Sequence, residues 1–111
     1  MSKVTRVYSH HTIEAVSLMG KLIRLKRIDK KMTAQDLSDR VGISRGLLQR
    51  IEKGDPKCEI GVTFEIASLL GISLFDTSGN SLSEHIDRIE DKLMVLPKAV
   101  HQPRKGVDDD F

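Results

Sequence analysis

The sequence predicts an all-α fold of five helices, and three observations carry that expectation. Apolar residues recur at three- and four-residue intervals through most of the chain. Ser or Thr stands in front of several of these runs, with Gly or Pro behind them. Only 4% of residues are aromatic and there is no Trp, so the interior has to be packed from Leu, Ile, Val and Met. At 111 residues the chain is long enough for one globular domain with tails and too short for a second well-packed domain. A hydrophobic content of 39% beside 31% charged residues places it among folded chains rather than disordered ones.

Residues 1–11 are polar and β-branched without a helical period, and are expected to form a flexible arm or a short strand. The first helix is expected to open at Thr12 as N-cap. It carries Ile13, Val16, Met19 or Gly20, Ile23 and Arg27 at helical spacing, with Leu18, Leu22 and Leu25 widening the apolar stripe. It ends near Asp29, where Lys30 and Lys31 meet the negative end of its dipole. Thr33 caps a second helix with Asp36 at its third position; Leu37 and Val41 face inward one turn apart, and Gly42 stops it in the left-handed conformation. Ser44 caps a third helix in which Leu47, Leu48 and Ile51 point one way while Arg45, Gln49, Arg50 and Lys53 point elsewhere, and Gly54 ends it. Two short helices joined by a Gly-containing turn, from Thr33 to Gly54, make a helix-turn-helix arrangement. After the turn Asp55-Pro56-Lys57, a fourth helix carries Ile60, Thr63, Phe64, Ile66, Ala67 and Leu70 and stops at Gly71. Ile72, Leu74 and Phe75 are expected to cover the core as a short helical turn. Ser81 and Glu84 have capping-box spacing for a fifth helix with Leu82, Ile86, Ile89, Leu93 and Leu96 on one face, closed by Pro97. The folded domain is thus expected over residues 12–96. Residues 97–111, ending Asp108-Asp109-Asp110-Phe111, are expected to form a flexible tail.

Charge is unevenly placed along the chain. Residues 1–57 hold 13 Lys and Arg against 6 Asp and Glu, a net +7, whereas residues 58–111 hold 5 against 10, a net −5, together the overall +2. A basic half on a small domain fits phosphate binding, although a solvated basic face would look the same. The single cysteine, Cys58, cannot form an intramolecular disulfide and lacks the spaced partners of a zinc site, so it reads as a neutral surface or boundary residue. The N-terminus shows no signal-peptide pattern and no apolar run approaches the roughly 18 residues of a membrane helix, so a cytoplasmic location without membrane contact is expected. His10-His11 has no ligand partners at useful spacing, and neither a nucleophile set nor a phosphate-cradling Gly loop occurs. The chain is therefore not expected to be an enzyme or to need a cofactor or metal.

The stretch from Met32 to Gly54 resembles the helix-turn-helix of the Xre and phage-repressor family. The likeness continues through Ile66-Ala67-Ser68-Leu69-Leu70-Gly71-Ile72-Ser73, covering roughly residues 13–76. A small residue in the second helix (Ser38), the turn residue Gly42 and inward Leu48 and Ile51 all occur in register. The resemblance implies a five-helix repressor-like DNA-binding domain, in which Ser38 is small because the two helices cross closely and Gly42 sets their angle. It presents the start of the third helix to the major groove, with Ser44, Arg45 and Gln49 as base readers: Arg45 matches a guanine O6/N7 pair and Gln49 an adenine N6/N7 pair. The alternatives are a phosphate contact for Arg45 and a solvated role for Gln49. Many family members carry Gln where this chain has Ala34, so phosphate contact there must shift to Thr33, to Gln35 or to backbone N–H groups, with Arg50, Lys53 and Lys57 as further phosphate candidates. Arg27 and Glu52 correspond to a charged pair that joins the first and third helices in similar repressors.

A narrower resemblance lies in Leu48 to Lys57 with Glu59-Ile60-Gly61, in Leu96-Pro97-Lys98 and in Val107-Asp108-Asp109-Asp110-Phe111, which look like HipB-type antitoxins. That resemblance implies a homodimer that represses its own operon on double-stranded operator DNA and pairs with a HipA-type kinase toxin. The fifth helix is the expected dimer surface, with Leu74 and Phe75 as additions. Asp108, Asp109, Asp110 and Phe111 are a candidate docking tail for the kinase. The alternatives are a solitary phage-type or host repressor of the same family, and a protein-interaction module with a vestigial helix-turn-helix.

Overall fold

Ser9, rather than Thr12, opens the first helix, α1 (His10–Asp29), in a computed structural model that describes residues 6–75 and 79–97. The Ser9 Oγ accepts from the Thr12 backbone N–H at 3.2 Å and donates to Thr12 Oγ1 at 3.1 Å, so Thr12 is drawn into the first turn and the helix starts earlier than its apolar period suggests. At the other end Lys31 takes a left-handed conformation, φ 58°, and the Met32 N–H closes back onto the Arg27 carbonyl at 3.0 Å. This is a helix ending that glycine ordinarily supplies.

The remaining helices are α2 (Ala34–Val41), α3 (Arg45–Glu52), α4 (Ile60–Leu70) and α5 (Leu82–Met94), and no strand occurs among the described residues. The fold is all-α, as expected. Gly42 and Gly71 end α2 and α4 in the left-handed conformation, with φ 81° and 77°. By its contacts the chain divides into two units, Met1–Phe75 and Asp76–Phe111. Among the described residues the buried core lies wholly in the first: Ile23 from α1, Leu37 from α2, Leu48 and Ile51 from α3, and Ile66 and Leu70 from α4. Val41, Leu47, Val62 and Ile72 pack against it.

Gly20 sets the distance between α1 and α3. A Cβ at that position would stand 2.5 Å from the Ile51 carbonyl oxygen and 2.6 Å from that of Glu52, both backbone atoms that cannot swing aside. Gly54, at φ 83°, meets α1 in the same way, its absent Cβ lying 2.9 Å from Ser17 Cα. The stripe expected on α1 is narrower than its sequence suggests. Leu18 and Leu25 are 59% and 54% exposed, because each lies two residues from a buried position, Gly20 and Ile23, and so about 160° around the helix from it. On α4, Ile66, Ala67 and Leu70 are buried while Ile60 is exposed. Residues 72–75 do not form a helical turn; Leu74 and Phe75 lie in a bend. Ile72 packs on the core, but Phe75 stays exposed and stacks on Phe64, with ring centroids 5.9 Å apart and planes 9° from parallel.

In the second unit, Ser81 and Glu84 form a reciprocal capping box: Ser81 Oγ accepts from the Glu84 N–H at 3.1 Å and Glu84 Oε1 from the Ser81 N–H at 2.8 Å. No residue of α5 is buried. No helix among the described residues is long and apolar enough to cross a membrane.

Candidate nucleic-acid interface

Two short helices need firm ends to hold one orientation, and both receive them from side chains next to their first turn. Thr33 Oγ1 accepts from the Asp36 N–H at 3.0 Å while Asp36 Oδ2 accepts from the Thr33 N–H at 3.1 Å, a complete capping box at the start of α2. These two bonds hold the Asp36 carboxyl below the usual carboxylate range, the backbone N–H of Thr33 contributing most. Ser38, fully buried, donates its hydroxyl to the Ala34 carbonyl at 2.7 Å, so the polar group required to be small at the crossing is satisfied within its own helix. The N–H groups of Gly42 and Ile43 both close onto the Ser38 carbonyl, at 2.8 and 3.0 Å, and this locks the turn. Ser44 Oγ then accepts from the Leu47 N–H at 3.0 Å and starts α3.

Leu48 and Ile51 are buried in α3, and this fixes which side of it faces outward. Arg45, Gly46, Gln49, Arg50 and Lys53 are all exposed. Arg45 and Gln49, four residues apart, stand one above the other on the same face. A Cβ on Gly46 would meet only Ser44 Oγ, at 4.0 Å, so the surface beside them is open. Arg45 makes no hydrogen bond or ion pair within the chain among the described residues, and its fork of donors faces solvent. The hydroxyl oxygen of Ser44 is committed to the cap, and its O–H is the group it has left to offer.

The phosphate candidates differ in how free they are. Lys53 and Lys57 are exposed. Arg50, by contrast, donates from Nε to Asp55 Oδ2 at 2.9 Å, leaving its Nη groups outward. Asp55 also accepts from the Lys57 backbone N–H at 2.9 Å, and these two bonds, the Lys57 one first, hold its carboxyl below the usual range. Gln35 Nε2 is engaged by Asp39 Oδ1 at 2.8 Å, and the Thr33 N–H by Asp36. Asp55 is the neighbour of the Arg50 phosphate candidate that sequence reasoning missed. Its position just past Gly54, where the chain turns back beside the last turn of α3, is the signal that would have found it.

Arg27 and Glu52 meet in a forked pair, Nε to Oε2 at 2.8 Å and Nη2 to Oε1 at 3.1 Å, with side chains only 12% and 9% exposed. Nη1 donates to the Met32 carbonyl at 3.0 Å, so one side chain ties α1 to the end of α3 and to the loop that leads into α2. Cys58 sits half-buried beside an apolar groove of about 320 Å³ with Val16, Met19, Ile51 and Ile60. Burial pushes its thiol up, with Asp55 adding to the effect, which makes it a poor nucleophile. Among the described residues no cluster of His, Cys, Asp and Glu is arranged to hold a metal ion. The candidate docking residues Asp108, Asp109, Asp110 and Phe111 lie outside the described residues.

Two capped helices, a left-handed glycine turn and an outward polar face on the second helix define the class of DNA-binding helix-turn-helix domains. Residues 23–76 match the protein-family model described as helix-turn-helix, a span that runs from the second half of α1 past the end of α4. That span is a DNA-binding domain of the type found in transcription regulators. No curated protein matches the chain.

Proposed function

We propose that this protein is a sequence-specific repressor that binds double-stranded operator DNA as a homodimer, and that it is the antitoxin of a HipA-type kinase toxin whose operon it represses. The observation that carries the DNA-reading half is the outer face of α3. Arg45 and Gln49 stand one turn apart beside the open Gly46 position, on a helix held at both ends by Ser44 and the Arg27–Glu52 pair. Arg and Gln are the residue types whose paired donors and acceptors match guanine and adenine edges in the major groove. Lys53 and Lys57 lie at the end of that helix and just beyond it, and they supply phosphate contacts that set register without reading sequence. A single recognition helix contacts too few bases for tight specific binding, and two-fold pairing supplies a second half-site about one helical turn away. The toxin half of the reading rests on the resemblance of the Leu48–Lys57, Leu96–Lys98 and Val107–Phe111 segments to HipB-type antitoxins.

The test is fluorescence anisotropy on DNA from the protein's own promoter and on random DNA, over a range of salt. Arg45→Ala and Gln49→Ala are expected to cost about 1–3 kcal/mol on the operator and to relax discrimination at one base position each. Lys53→Ala is expected to weaken both DNAs alike and to reduce the salt slope by about one. Equal losses on operator and random DNA for all three variants would remove Arg45 and Gln49 as readers.

A further inference from the structure

The turn that ends α3 sets residue 55 against residue 50. Gly54, at φ 83°, donates its N–H to the Ile51 carbonyl at 3.0 Å, and the Asp55 N–H reaches the Arg50 carbonyl at 3.0 Å. This pair of bonds is the Schellman ending, which brings the second residue past the cap beside the residue three places before it. An apolar contact often fills that juxtaposition. Here it holds an ion pair, Arg50 Nε to Asp55 Oδ2 at 2.9 Å. The carboxylate is itself fixed, because its Oδ1 accepts from the Lys57 backbone N–H at 2.9 Å, and its side chain is 26% exposed against 54% for Arg50. Arg50 stands one residue past Gln49, about 100° round α3 from it, on the flank of the outward face rather than on the line of Arg45 and Gln49. One turn earlier on its own line, Gly46 has no side chain to hold it, so among the described residues Asp55 is the group that orients this guanidinium.

We propose that Asp55 is a positioning residue for DNA binding: by taking Nε, it keeps both Nη groups of Arg50 turned outward as a fixed pair of donors for one backbone phosphate beside the recognition helix. This rests on the DNA-binding reading above and assigns Arg50 its place in it. An unheld arginine gives up rotamer freedom when it grips a phosphate, and a fork held in advance gives up less. The arrangement carries a penalty, since the carboxylate repels the phosphate that Arg50 binds. The two roles of Asp55 therefore have opposite signs. As a bare charge it weakens DNA binding, and as the holder of Arg50 it strengthens it. The second prevails because the Nη groups meet the phosphate directly, through charge-assisted hydrogen bonds, while Asp55 stands farther off on the Nε edge.

The experiment measures the affinity of the full chain for its own promoter duplex and for random duplex by anisotropy, in a double-mutant cycle of Asp55→Asn and Arg50→Ala. Asn keeps the Lys57 N–H bond through its carbonyl oxygen and turns its amide nitrogen toward Arg50, so the turn survives while the hold is lost. Urea midpoints check that every variant is folded. Arg50→Ala is expected to weaken both DNAs about tenfold, and Asp55→Asn to weaken both about threefold although it removes a negative charge. In the Arg50→Ala background Asp55→Asn is expected to weaken neither. Unchanged or tighter binding by Asp55→Asn alone would overturn the proposal and leave Asp55 a bare charge. The same loss in both backgrounds would overturn it in favour of a role in the turn. Unchanged affinity for Arg50→Ala would overturn it while the reading by Arg45 and Gln49 stands, and a wild-type chain that binds neither DNA would end both readings.

Discussion

The Arg27 guanidinium uses all three of its nitrogens, two on Glu52 and one on the Met32 carbonyl, in a setting where its side chain is 12% exposed. A charge this far out of water is stable only while its partner is present, so the cost of losing the partner exceeds the net worth of the pair. Glu52→Ala is expected to cost about 3 kcal/mol, read in urea denaturation as a lower midpoint at unchanged slope. An unchanged midpoint would mean that the two side chains act independently. Lys31 presents the opposite opportunity. Its φ of 58° places a β-carbon where only glycine sits without strain. Lys31→Gly is expected to raise stability by about 0.5–1 kcal/mol, the relief of the left-handed conformation outweighing the extra freedom of glycine in the unfolded chain. A loss of stability in the same denaturation experiment would show that the Lys31 side chain contributes more than its backbone costs.

At the scale of elements, capping decides where α2 and α5 begin, and it does so through two carboxylates. Asp36 and Glu84 are both held below the ordinary carboxylate range, in each case first by the backbone N–H that the side chain accepts from, Thr33 for one and Ser81 for the other. A carboxyl whose folded value lies below its unfolded one stabilises above the unfolded pKa, near 4, and that contribution disappears as pH falls through the folded value. Acidification below about pH 4 is therefore expected to loosen the first turns of α2 and α5. The check is an NMR titration in which the Thr33 and Ser81 amide protons shift together with their carboxyls, at midpoints below those of exposed Asp and Glu. Asp36→Asn and Glu84→Gln should abolish the shift at their own helix only. Midpoints at ordinary values would mean that the boxes are open in solution. α1 shows a different limit, since its core-facing line is set by contact with α3 and α4 and its remaining apolar side chains lie outside that line.

For the whole molecule, the basic excess of residues 1–57 and the acidic excess of residues 58–111 fit the proposed function, with DNA on the first part of the chain and a protein partner on the second. On the proposed antitoxin function, a repressor that acts together with its toxin must leave the α3 face free, and this would direct kinase docking toward α5 or toward Asp108, Asp109, Asp110 and Phe111. Three carboxylates beside a terminal aromatic suit a partner that offers basic side chains around an apolar pocket, with much of the gain offset by ordering entropy. If the proposed antitoxin function holds, deletion of residues 107–111 is expected to leave operator affinity unchanged and to weaken binding to a HipA-type kinase partner, both measured by titration calorimetry or anisotropy. Kinase affinity that survives the deletion would place docking on the folded surface instead.

What the sequence determined by itself is the set of signals that act within a turn or two. Thr33, Ser44 and Ser81 cap their helices, Gly42 and Gly71 stop theirs, and Leu37, Leu48 and Ile51 face inward because 3.6-residue periodicity puts them there. The outward placement of Arg45 and Gln49 follows from the same periodicity. Arg27 and Glu52 were legible only through resemblance, since nothing local connects two residues so distant in sequence. Tertiary structure alone decided the rest. Which of α1's apolar residues is buried depends on where Ile51 and Glu52 pass, and Gly20 is indispensable only because their carbonyls come that close. Phe64 and Phe75 find each other rather than the core, and Asp55 engages Arg50, because the chain turns back after Gly54. Caps and stops are fixed by hydrogen bonds to neighbours already in reach. Faces, crossings and paired charges depend on which distant surface arrives, and that is settled by packing the whole chain.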